Sequence, residues 1–575
     1  MITFKGQPDW THVFGPRNRA VRWSPHSFSR KSIHGRWSWM KLRSNVRNLF
    51  HEYCSHSTIH GVSYIGSRRS ILERFWWLVV FVLSIYGCGS LIHKVYNKWN
   101  NHPVIVTFDE RPVPVWQIPF PAVTICPEAK IRADLMNFTD AFYRFAHPGP
   151  EDEELDQHSL DQLMAVLQLC NVFFYAIRYY TSLYAQAVSD LDVVSILDEL
   201  SIPANETFAM CTINNKRCSH LFARTITDEG ICFTYNGFSA RDMFRSGVLH
   251  SEYGYLTETK RATNWSLEDG YTPGSPLSSH PFRAVGSGFG AGLQLQLMTA
   301  NSDIEHHCRE EQGFKVVLHP PNEYPLVSKK FVLLTLARDI TIAVRPRIVR
   351  TSDELRSYSP ERRQCFFNHE RHLKFFLSYT QSNCELECLT NFTLEACGCV
   401  KFYMPRSEGT RLCHTADLEC VLLAEMLLRE QSADSHLVDP RRNQSDCNCM
   451  PACSSIDYDA EITQSMYNFQ RTLDLRYRPI LKSFLSYIYK KQITKLGIYF
   501  KEDQFFVSRR SELFGLTDFI SNCGGILGLC MGVSLFSLVE LLYYCCIRPV
   551  LLVRRAVGGG TQNIIVVRTG PEIRY

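Results

Sequence analysis

The chain has 575 residues, of which 45% are hydrophobic, and its formal net charge is +5 at pH 7. This length exceeds that of one compact domain, so several segments are expected. The excess positive charge lies in residues 1–74 and 548–575, whereas the residues between them are net acidic, which excludes a uniformly basic nucleic-acid-binding surface.

The N-terminal region combines a basic arm with a short amphipathic segment. Residues 1–38 carry scattered Trp among basic residues and are predicted to form a disordered arm. From Trp37 to Tyr53, apolar residues recur at helical spacing, with Lys and Arg elsewhere around the turn. This pattern predicts a short helix on the inner face of a membrane. A helix packed on a cytosolic partner fits the same pattern, and the residues leave both interpretations open.

Two long apolar stretches lie just inside the basic ends. The first, residues 75–92, contains no charged residue, and the second, residues 519–547, contains only Glu540. A bilayer core of about 30 Å requires about 20 helical residues, so each stretch with its flanks can cross a membrane. Buried helices of a soluble domain are the alternative. Arg residues beside both stretches favour membrane spans with both termini in the cytosol.

The sequence therefore predicts a multi-pass plasma-membrane protein with five segments. These are a cytosolic arm (1–74), a transmembrane helix (75–96), an extracellular domain (97–518), a second transmembrane helix (519–547) and a cytosolic tail (548–575). Sixteen of the 22 cysteines lie in the extracellular segment, as suits an oxidising compartment. Mixed β-rich and helical stretches predict an α+β fold stapled by disulfides. All five N-glycosylation sequons also lie there: Asn137, Asn205, Asn264, Asn391 and Asn443.

Other motifs in this segment have plainer interpretations. The stretch Gly286–Ala291, GSGFGA, matches a dinucleotide-binding fingerprint, but no clear strand precedes it, so a loop with positive-φ glycines is favoured. The cysteines between Cys384 and Cys453 have spacings unlike those of zinc knuckles, so disulfides are favoured over zinc. No pattern of Ser, His and carboxylate residues indicates catalysis. We therefore expect neither an enzyme nor a bound metal.

The second apolar stretch contains a polar interruption. Glycines recur every four residues up to Gly532, a spacing that simple helix dimerisation would explain. However, Gly532, Val533 and Ser534 lie near mid-membrane, where irregular backbone is tolerated only if it lines protein or water. Glu540 is costly inside a membrane unless it faces a pore or a partner. Backbone carbonyls from several copies of this break would suit a dehydrating cation, so the sequence predicts a cation pore.

Several motifs together resemble the degenerin/epithelial sodium channel family, and most closely its insect pickpocket branch. Residues 532–534 resemble the family's G-x-S selectivity filter, and Glu540 matches the carboxylate that follows it. The STIHG stretch, which contains His60 and Gly61, is similar to the family's cytosolic His-Gly motif. PVWQIPFPAVTIC after the first span, ICFTYN and the clustered cysteines complete the pattern. The match runs from about residue 40 to residue 550.

The resemblance implies a homo- or heterotrimer with related channel subunits, embedded in membrane lipids. Each subunit would place a hand-like ectodomain on two helices, with the second helix lining the pore. It implies amiloride-sensitive conduction of Na⁺, gated through the ectodomain by a mechanical, osmotic or chemical stimulus. Na⁺ would be the permeant ion, and no cofactor is implied. Ser521 corresponds to a small residue at the pore mouth whose enlargement keeps degenerins open.

The resemblance also implies seven disulfides. They are Cys126–Cys232, Cys211–Cys218, Cys365–Cys453, Cys384–Cys449, Cys388–Cys447, Cys397–Cys420 and Cys399–Cys413. Cys170 and Cys308 remain among the sixteen extracellular cysteines, and an eighth bridge between them is a hypothesis. Cys545 and Cys546 lie at the predicted inner face, where palmitoylated and unmodified cysteines both fit.

The sequence departs from the family pattern at two places. Leu422 and Met426 occupy positions that are acidic in proton-gated relatives, and the Trp that relatives place before the cysteine matching Cys365 is replaced within SPERRQC. The usual proton sensing is therefore not expected. A non-conducting auxiliary subunit remains an alternative function. An ATP-gated two-span channel fits poorly, because such channels lack this His-Gly motif and cysteine cluster.

Overall fold

The computed structural model describes residues 39–66, 69–101, 104–146, 155–170, 191–250, 265–438, 447–477 and 489–551. The predicted basic arm, most of the predicted tail and the sequons at Asn264 and Asn443 lie outside these residues. The chain divides into two compact units, Met1–Tyr96 with Thr517–Tyr575, and Asn97–Leu516. The borders of the second unit lie within two residues of the predicted borders of the extracellular segment. Its location outside the cell stays a prediction.

Fourteen α-helices are present in the described residues. They are α1 (Trp39–His56), α2 (Val62–Gly66), α3 (Ile71–Asn101), α4 (Phe138–Ala146), α5 (Gln157–Leu167), α6 (Val193–Leu200), α7 (Ala204–Thr207), α8 (Ala240–Met243), α9 (Pro360–Arg363), α10 (Gln381–Cys397), α11 (Leu418–Val438), α12 (Phe469–Tyr477), α13 (Leu516–Met531) and α14 (Leu535–Leu542). After α14 the helix passes through a π-helical turn, Tyr543–Ile547, and continues to Leu551.

Within the described residues, one helix is by itself long and apolar enough to cross a membrane. This helix, α3, has 31 residues, and at 1.5 Å per residue it exceeds a hydrocarbon core of about 30 Å. It begins four residues before the predicted start at Phe75 and ends at Asn101. The second apolar stretch was predicted as one span with a break at residues 532–534, and it consists of two helices separated at those residues. Taken together, helix α13 and the helix Leu535–Leu551 are also long and apolar enough to cross a membrane, but they are bent by 76° at the break between them.

The second unit is built on two β-sheets. The strands are β1 (Val104–Phe108), β2 (Val113–Pro114), β3 (Ala122–Pro127), β4 (Phe208–Ile213), β5 (Lys216–Arg217), β6 (Phe222–Thr227), β7 (Gly230–Tyr235), β8 (Trp265–Ser266), β9 (Gly270–Tyr271), β10 (Leu293–Ala300), β11 (Gly313–His319), β12 (Val332–Thr335), β13 (Arg338–Thr351), β14 (Ser455–Met466), β15 (Lys491–Phe500), β16 (Gln504–Phe505) and β17 (Ser508–Glu512). The larger sheet has the order β1-β17-β13-β15-β10-β4-β5, with β14 also paired to β13, and the smaller has the order β12-β11-β3-β7-β6.

Side-chain alternation explains how the larger sheet buries one face. In β10, LQLQLMTA, the residues alternate between buried and half-buried positions, so that Leu293, Leu295 and Leu297 point into the core. Strand β13 pairs in parallel with β15 and antiparallel with β14. In the smaller sheet every residue of β11 is buried. Apolar residues of both sheets form one continuous cluster, which makes this α+β unit rigid enough to hold the loops around it.

Disulfides link the helices and loops of this unit. The seven pairs that the resemblance implies are all bonded, and Cys170 is bonded to Cys308. Helix α10 carries three of these cysteines, begins at an N-cap, Thr380, and ends at Gly398, whose φ of +67° is the left-handed conformation that glycine adopts readily. The loop at 286–291 contains Gly288 with φ +82°, the positive-φ glycine that the sequence predicted for this loop.

A cluster of buried charges connects four parts of the same unit. Glu128 and Glu229 lie among the cations of Lys130, Arg309 and Lys315, and all five residues are buried. The ammonium nitrogen of Lys315 is 2.8 Å from a Glu229 carboxylate oxygen, and Arg309 Nη2 is 2.5 Å from the other. Buried charges are tolerated when they are paired in this way.

Candidate ion-conduction site

The predicted filter stretch is a break between two helices. Helix α13 ends at Met531, and the next residue, Gly532, has φ +69° and donates its N–H to the Gly528 carbonyl at 2.8 Å. This is a left-handed C-terminal cap, for which glycine is the usual residue. A Cβ atom at Gly532 would lie only 2.6 Å from ring atoms of His60. Two independent constraints therefore require glycine at this position.

The chain re-enters helical conformation through a capping box. Ser534 Oγ accepts a hydrogen bond from the Ser537 N–H at 3.3 Å, and Ser537 Oγ accepts one from the Ser534 N–H at 3.1 Å. Reciprocal bonds of this kind satisfy donors that a helix start leaves free. Within the described residues, no hydrogen bond reaches the carbonyl oxygens of Gly532 and Val533. Unbonded carbonyls are the ligands that a dehydrated cation needs.

The His-Gly motif packs directly on this break. The loop between α1 and α2 brings the His60 N–H to 2.9 Å from the carbonyl oxygen of Met531, the last residue of α13. The following residue, Gly61, has φ +88°. A helix C-terminus leaves carbonyl groups without partners, and here a distant part of the chain satisfies one of them. The N-terminal segment thus helps to define the end of α13.

Glu540 is anchored by the same loop. Its Oε2 accepts hydrogen bonds from the Thr58 N–H at 3.2 Å and from Thr58 Oγ1 at 3.1 Å. Thr58 Oγ1 also lies 2.7 Å from the buried Ser537 Oγ. Because the only hydroxyl hydrogen of Thr58 is given to the carboxylate, Ser537 is the donor in that contact. The sequence predicted that Glu540 faces a pore or a partner, and the structure supplies a partner from its own chain.

Helix α1, the predicted amphipathic helix, contacts the end of the second apolar stretch. Arg548 Nη2 lies 2.6 Å from Glu52 Oε1, and the rings of Tyr53 and Tyr544 meet edge to face with centroids 5.5 Å apart. These contacts are formed within one chain. Whether α1 also lies on a membrane or binds a cytosolic partner stays a prediction.

The remaining predicted pore residue lies on an open helix face. Ser521, in α13, is exposed in the single chain. A Cβ atom at Gly524 or Gly525 would meet no atom within 4 Å, and at Gly528 it would meet only the Val533 oxygen, at 3.8 Å. This small-residue face is therefore uncovered within the described part of the chain. Close approach of another helix is what such a face permits.

Three predicted glycosylation residues can be located. Asn137, Asn205 and Asn391 are all exposed in the second unit, so each is accessible to a glycan, although glycosylation itself stays a prediction. Leu422 and Met426, where the resemblance implied acidic residues in proton-gated channels, are exposed on α11. Between them, Glu425 pairs with Lys401 at 3.2 Å.

A model of the amiloride-sensitive sodium channel family matches residues 53–544 of the chain. The chain belongs to this family. It is the degenerin/epithelial sodium channel family that the sequence motifs indicated, and its members are ion channels rather than enzymes. The match includes the His-Gly motif, the disulfide-rich unit and the broken second segment.

Individual relatives are similar over nearly the same length. Pickpocket protein 28 of Drosophila melanogaster is 28% identical over 517 residues, which cover 88% of this chain and 80% of that protein. The sodium channel protein Nach of the same species is 22% identical over 520 residues, covering 87% of each chain. The human bile acid-sensitive ion channel is 23% identical over 503 residues, covering 86% of this chain and 85% of that protein.

Sequence reasoning missed the residue that joins the loop to the carboxylate. Thr58 lies two positions before His60 in the STIHG motif, yet it is separated by 482 residues from Glu540. No local pattern reports a contact of that separation. The signal that could have found it was chemical, because a carboxylate in an apolar segment requires hydrogen-bond donors from elsewhere.

Proposed function

We propose that this protein is a pore-forming subunit of a sodium-selective, amiloride-sensitive cation channel of the plasma membrane. The observation that carries the proposal is the break at residues 532–534, where two backbone carbonyls accept no hydrogen bond from the described residues. Helix α3 and the bent pair that contains this break would be the two membrane spans. The ectodomain would transmit a mechanical, osmotic or chemical stimulus in a sensory cell.

Conduction follows from assembling several copies around the break. In a trimer, homomeric or formed with related subunits, the Gly532 and Val533 carbonyls would form rings that replace part of the hydration shell of Na⁺. The Glu540 carboxylates, held by Thr58, would form an acidic ring on the cytosolic side that raises the local cation concentration. The Gly-rich face of α13 would let the helices approach closely near the pore axis. Na⁺ is the transported ion and not a resident cofactor.

The experiment is a current recording from oocytes that express the chain alone. Ser521→Phe places a bulky ring on the exposed face of α13, and we expect it to keep the pore open and raise the resting current. That current should be larger with Na⁺ than with K⁺ outside and should be blocked by amiloride. Gly532→Arg, which fills the break, should abolish it, whereas Gly286→Arg, at an open surface position of the second unit, should not.

The result also separates the pore-forming role from the auxiliary one. A current that is lost in Gly532→Arg at equal surface expression would support a pore built from this chain. Silence of the Ser521→Phe variant despite assembled protein at the cell surface would contradict a homomeric pore. Co-expression with a related subunit would then distinguish a heteromeric pore, in which Gly532→Arg still alters selectivity, from an auxiliary subunit, in which it has no effect.

A further inference from the structure

A small cavity lies between the β8–β9 hairpin and the disulfide-linked segment that follows α9. Its volume is about 140 Å³, which is close to that of a protein cavity that accepts benzene, about 150 Å³. The hairpin contributes Trp265 and Glu268 to the lining, and the segment after α9 contributes Phe366 and Tyr379. All of these residues belong to the second unit. The cavity therefore has room for one small organic molecule.

The wall that contains Phe366 and Ala452 is fixed by several bonds. The two residues form a parallel β-bridge, the Phe366 N–H donates to the Pro451 carbonyl at 3.0 Å, and the Cys453 N–H donates to the Phe366 carbonyl at 2.9 Å. A disulfide joins the neighbouring positions, Cys365 and Cys453. Because this wall is preformed, a ligand would not have to order it on binding.

Two pairs of aromatic rings line the cavity. Phe238 and Trp265 meet edge to face with ring centroids 5.9 Å apart, and Phe366 and Tyr379 meet in the same way at 5.5 Å. Aromatic faces attract cations, and ammonium ligands are recognised in proteins by cages of such rings. The rings therefore favour an organic ligand, and among organic ligands they favour a cation.

The charged residues among the lining are both acidic. They are Glu268 and Asp269 of the hairpin, and no Lys, Arg or His of the described residues lines the cavity. Glu268 Oε1 accepts the Asn368 N–H at 2.8 Å. Its Oε2 lies 4.0 Å from Arg356 Nη2, which is beyond hydrogen-bond range, and Nε of that arginine donates to Asp353 at 2.9 Å. Glu268 thus keeps one oxygen that can accept from a ligand.

A buried amide oxygen at the cavity has no hydrogen-bond partner. Asn322 is 4% exposed, and its Oδ1 accepts no hydrogen bond from the residues that the structure describes. By contrast, the backbone carbonyl oxygen of Asn322 accepts a hydrogen bond from Asn383 Nδ2 at 3.0 Å. Buried polar atoms are rarely left unpaired, because desolvation without a hydrogen bond is destabilising. An ammonium group would supply both the missing donor and a positive charge.

We propose that this cavity is a binding site for a small organic ammonium ion. Glu268 and Asp269 would balance its charge, Asn322 Oδ1 would accept one of its N–H groups, and the four aromatic rings would cover its carbon atoms. A bound ion would connect the hairpin to the disulfide-linked wall. The site is defined by binding alone, so it does not rest on the conduction that we propose for the chain.

The test uses the full chain in detergent, with benzylamine as the probe. Benzylamine is protonated at neutral pH and is slightly larger than benzene. Benzyl alcohol has the same shape without the charge, and benzoate carries the opposite charge. Ligand-detected NMR titrations, with protein-free micelles as the blank, measure the three affinities. We expect benzylamine to bind at least about ten-fold more tightly than benzyl alcohol, since only the cation gains the charged hydrogen bonds, and we expect benzoate not to bind.

Two variants locate the binding at the cavity. Glu268→Gln removes the charge but keeps an oxygen for the Asn368 N–H, and it should weaken benzylamine binding about ten-fold. Asn322→Ala removes the unpartnered oxygen and should also weaken binding. Asp353→Asn is the matched control, because that side chain is 91% exposed and pairs with the same Arg356, and it should bind benzylamine as the natural chain does. Melting curves without the probe establish that each variant is folded.

Three outcomes would overturn the proposal. If benzylamine does not bind the natural chain, water rather than a cation fills the cavity. If benzylamine and benzyl alcohol bind equally well, the site does not select for charge. If benzylamine binds the folded Glu268→Gln and Asn322→Ala variants as tightly as the natural chain, its binding site lies elsewhere. The comparison of the three probes needs no variant, so it decides the matter even where a variant fails to fold.

Discussion

The guanidinium carbon of Arg362 lies 4.3 Å from the centroid of the Trp99 indole ring. Its Nη2 also donates to the Trp99 carbonyl at 3.3 Å, and the guanidinium lies 4.2 Å from the Tyr358 ring centroid. Trp99 belongs to the last turn of α3, and Arg362 belongs to the stretch SPERRQC, where the family resemblance implied that a Trp is replaced. Within this stretch, an arginine packed on two aromatic rings thus links α9 to the end of α3.

We expect Arg362→Gln and Trp99→Leu each to lower the unfolding temperature of the detergent-solubilised protein, because a cation–π contact contributes about 0.5–2 kcal/mol. In the double variant the loss should be smaller than the sum of the single losses, since both changes remove the same contact. Thermal melts of the four proteins measure this coupling. Arg347→Gln, at an exposed arginine paired with Asp459, is the control. Strictly additive losses would show that the contact contributes nothing.

Thr58→Val should change conduction, because it removes the hydroxyl that donates to Glu540 and accepts from Ser537. Hydrogen bonds to a charged group contribute about 1.5–3 kcal/mol, so the carboxylate should become more mobile. Single-channel recordings should show a lower unitary conductance, with Thr58→Ser close to the natural chain. Ser63→Ala removes an exposed hydroxyl from α2 and serves as the control. Unchanged conductance and selectivity in Thr58→Val would contradict the anchoring role.

Gly532→Ala should abolish current at normal surface expression. Its φ of +69° costs a non-glycine residue about 1–3 kcal/mol, and the new Cβ atom would also meet His60 at 2.6 Å. Adding His60→Gly removes the second conflict but not the first, so the double variant should recover part of the current. Gly87→Ala, in open space on α3, provides a matched control. Full current in Gly532→Ala would refute the assigned backbone geometry.

The pH dependence of stability should contain a contribution from Glu323. Desolvation raises the pKa of Glu323 to about 7, and the carboxylates of Asp457 and Glu385 act in the same direction. Between pH 4.5 and 7 the folded state therefore holds a proton that the unfolded state releases, so this contribution to stability falls as the pH rises. Glu323→Gln should flatten the fall in melting temperature over this window, whereas Glu110→Gln should not. Identical profiles would contradict the shifted pKa.

Glu229 should behave in the opposite way. Burial opposes its ionisation, but the cations of Lys130, Arg309 and Lys315 dominate and lower the pKa of Glu229 to about 2. Its stabilising contribution is therefore present above pH 4.5 and is lost as the pH falls towards 2.

We expect Glu229→Gln to destabilise the protein at pH 7 by about 3–5 kcal/mol, because it leaves buried cations without their partner. Chemical denaturation of the natural chain and the variant measures the difference, which should shrink on acidification. A difference that stays constant down to pH 3 would show that packing, not charge, is responsible.

Much of the fold could be predicted because its signals are local or are carried by motifs. The apolar run of α3, the α+β character of the second unit, and the glycine and serine at residues 532 and 534 could all be predicted from the sequence. The 76° bend and the pairing of β13 with three other strands could not be predicted from the sequence. They depend on contacts between distant segments, for which hydrophobic periodicity carries no information.

The candidate site shows the same division. Residues 532–534, Glu540 and the His-Gly motif were each identified from sequence, but nothing in their spacing placed His60 on Met531 or Thr58 on Glu540. Those contacts arise because α1 and α2 fold back on the second apolar stretch. A helix end and a carboxylate in an apolar segment both require hydrogen-bond donors. This requirement explains the two contacts, but only once the fold shows which residues are near.

The cap that His60 provides for α13 has a consequence for how the cell could control this protein. The end of the helix is completed by a peptide group from the loop between α1 and α2, through one backbone hydrogen bond of 2.9 Å. In the proposed topology, a cytosolic protein that pulled on the residues before α1, or a protease that removed them, would act on the predicted filter without crossing the membrane. In that topology, a force applied to the N-terminal segment inside the cell would reach the predicted filter through a single hydrogen bond.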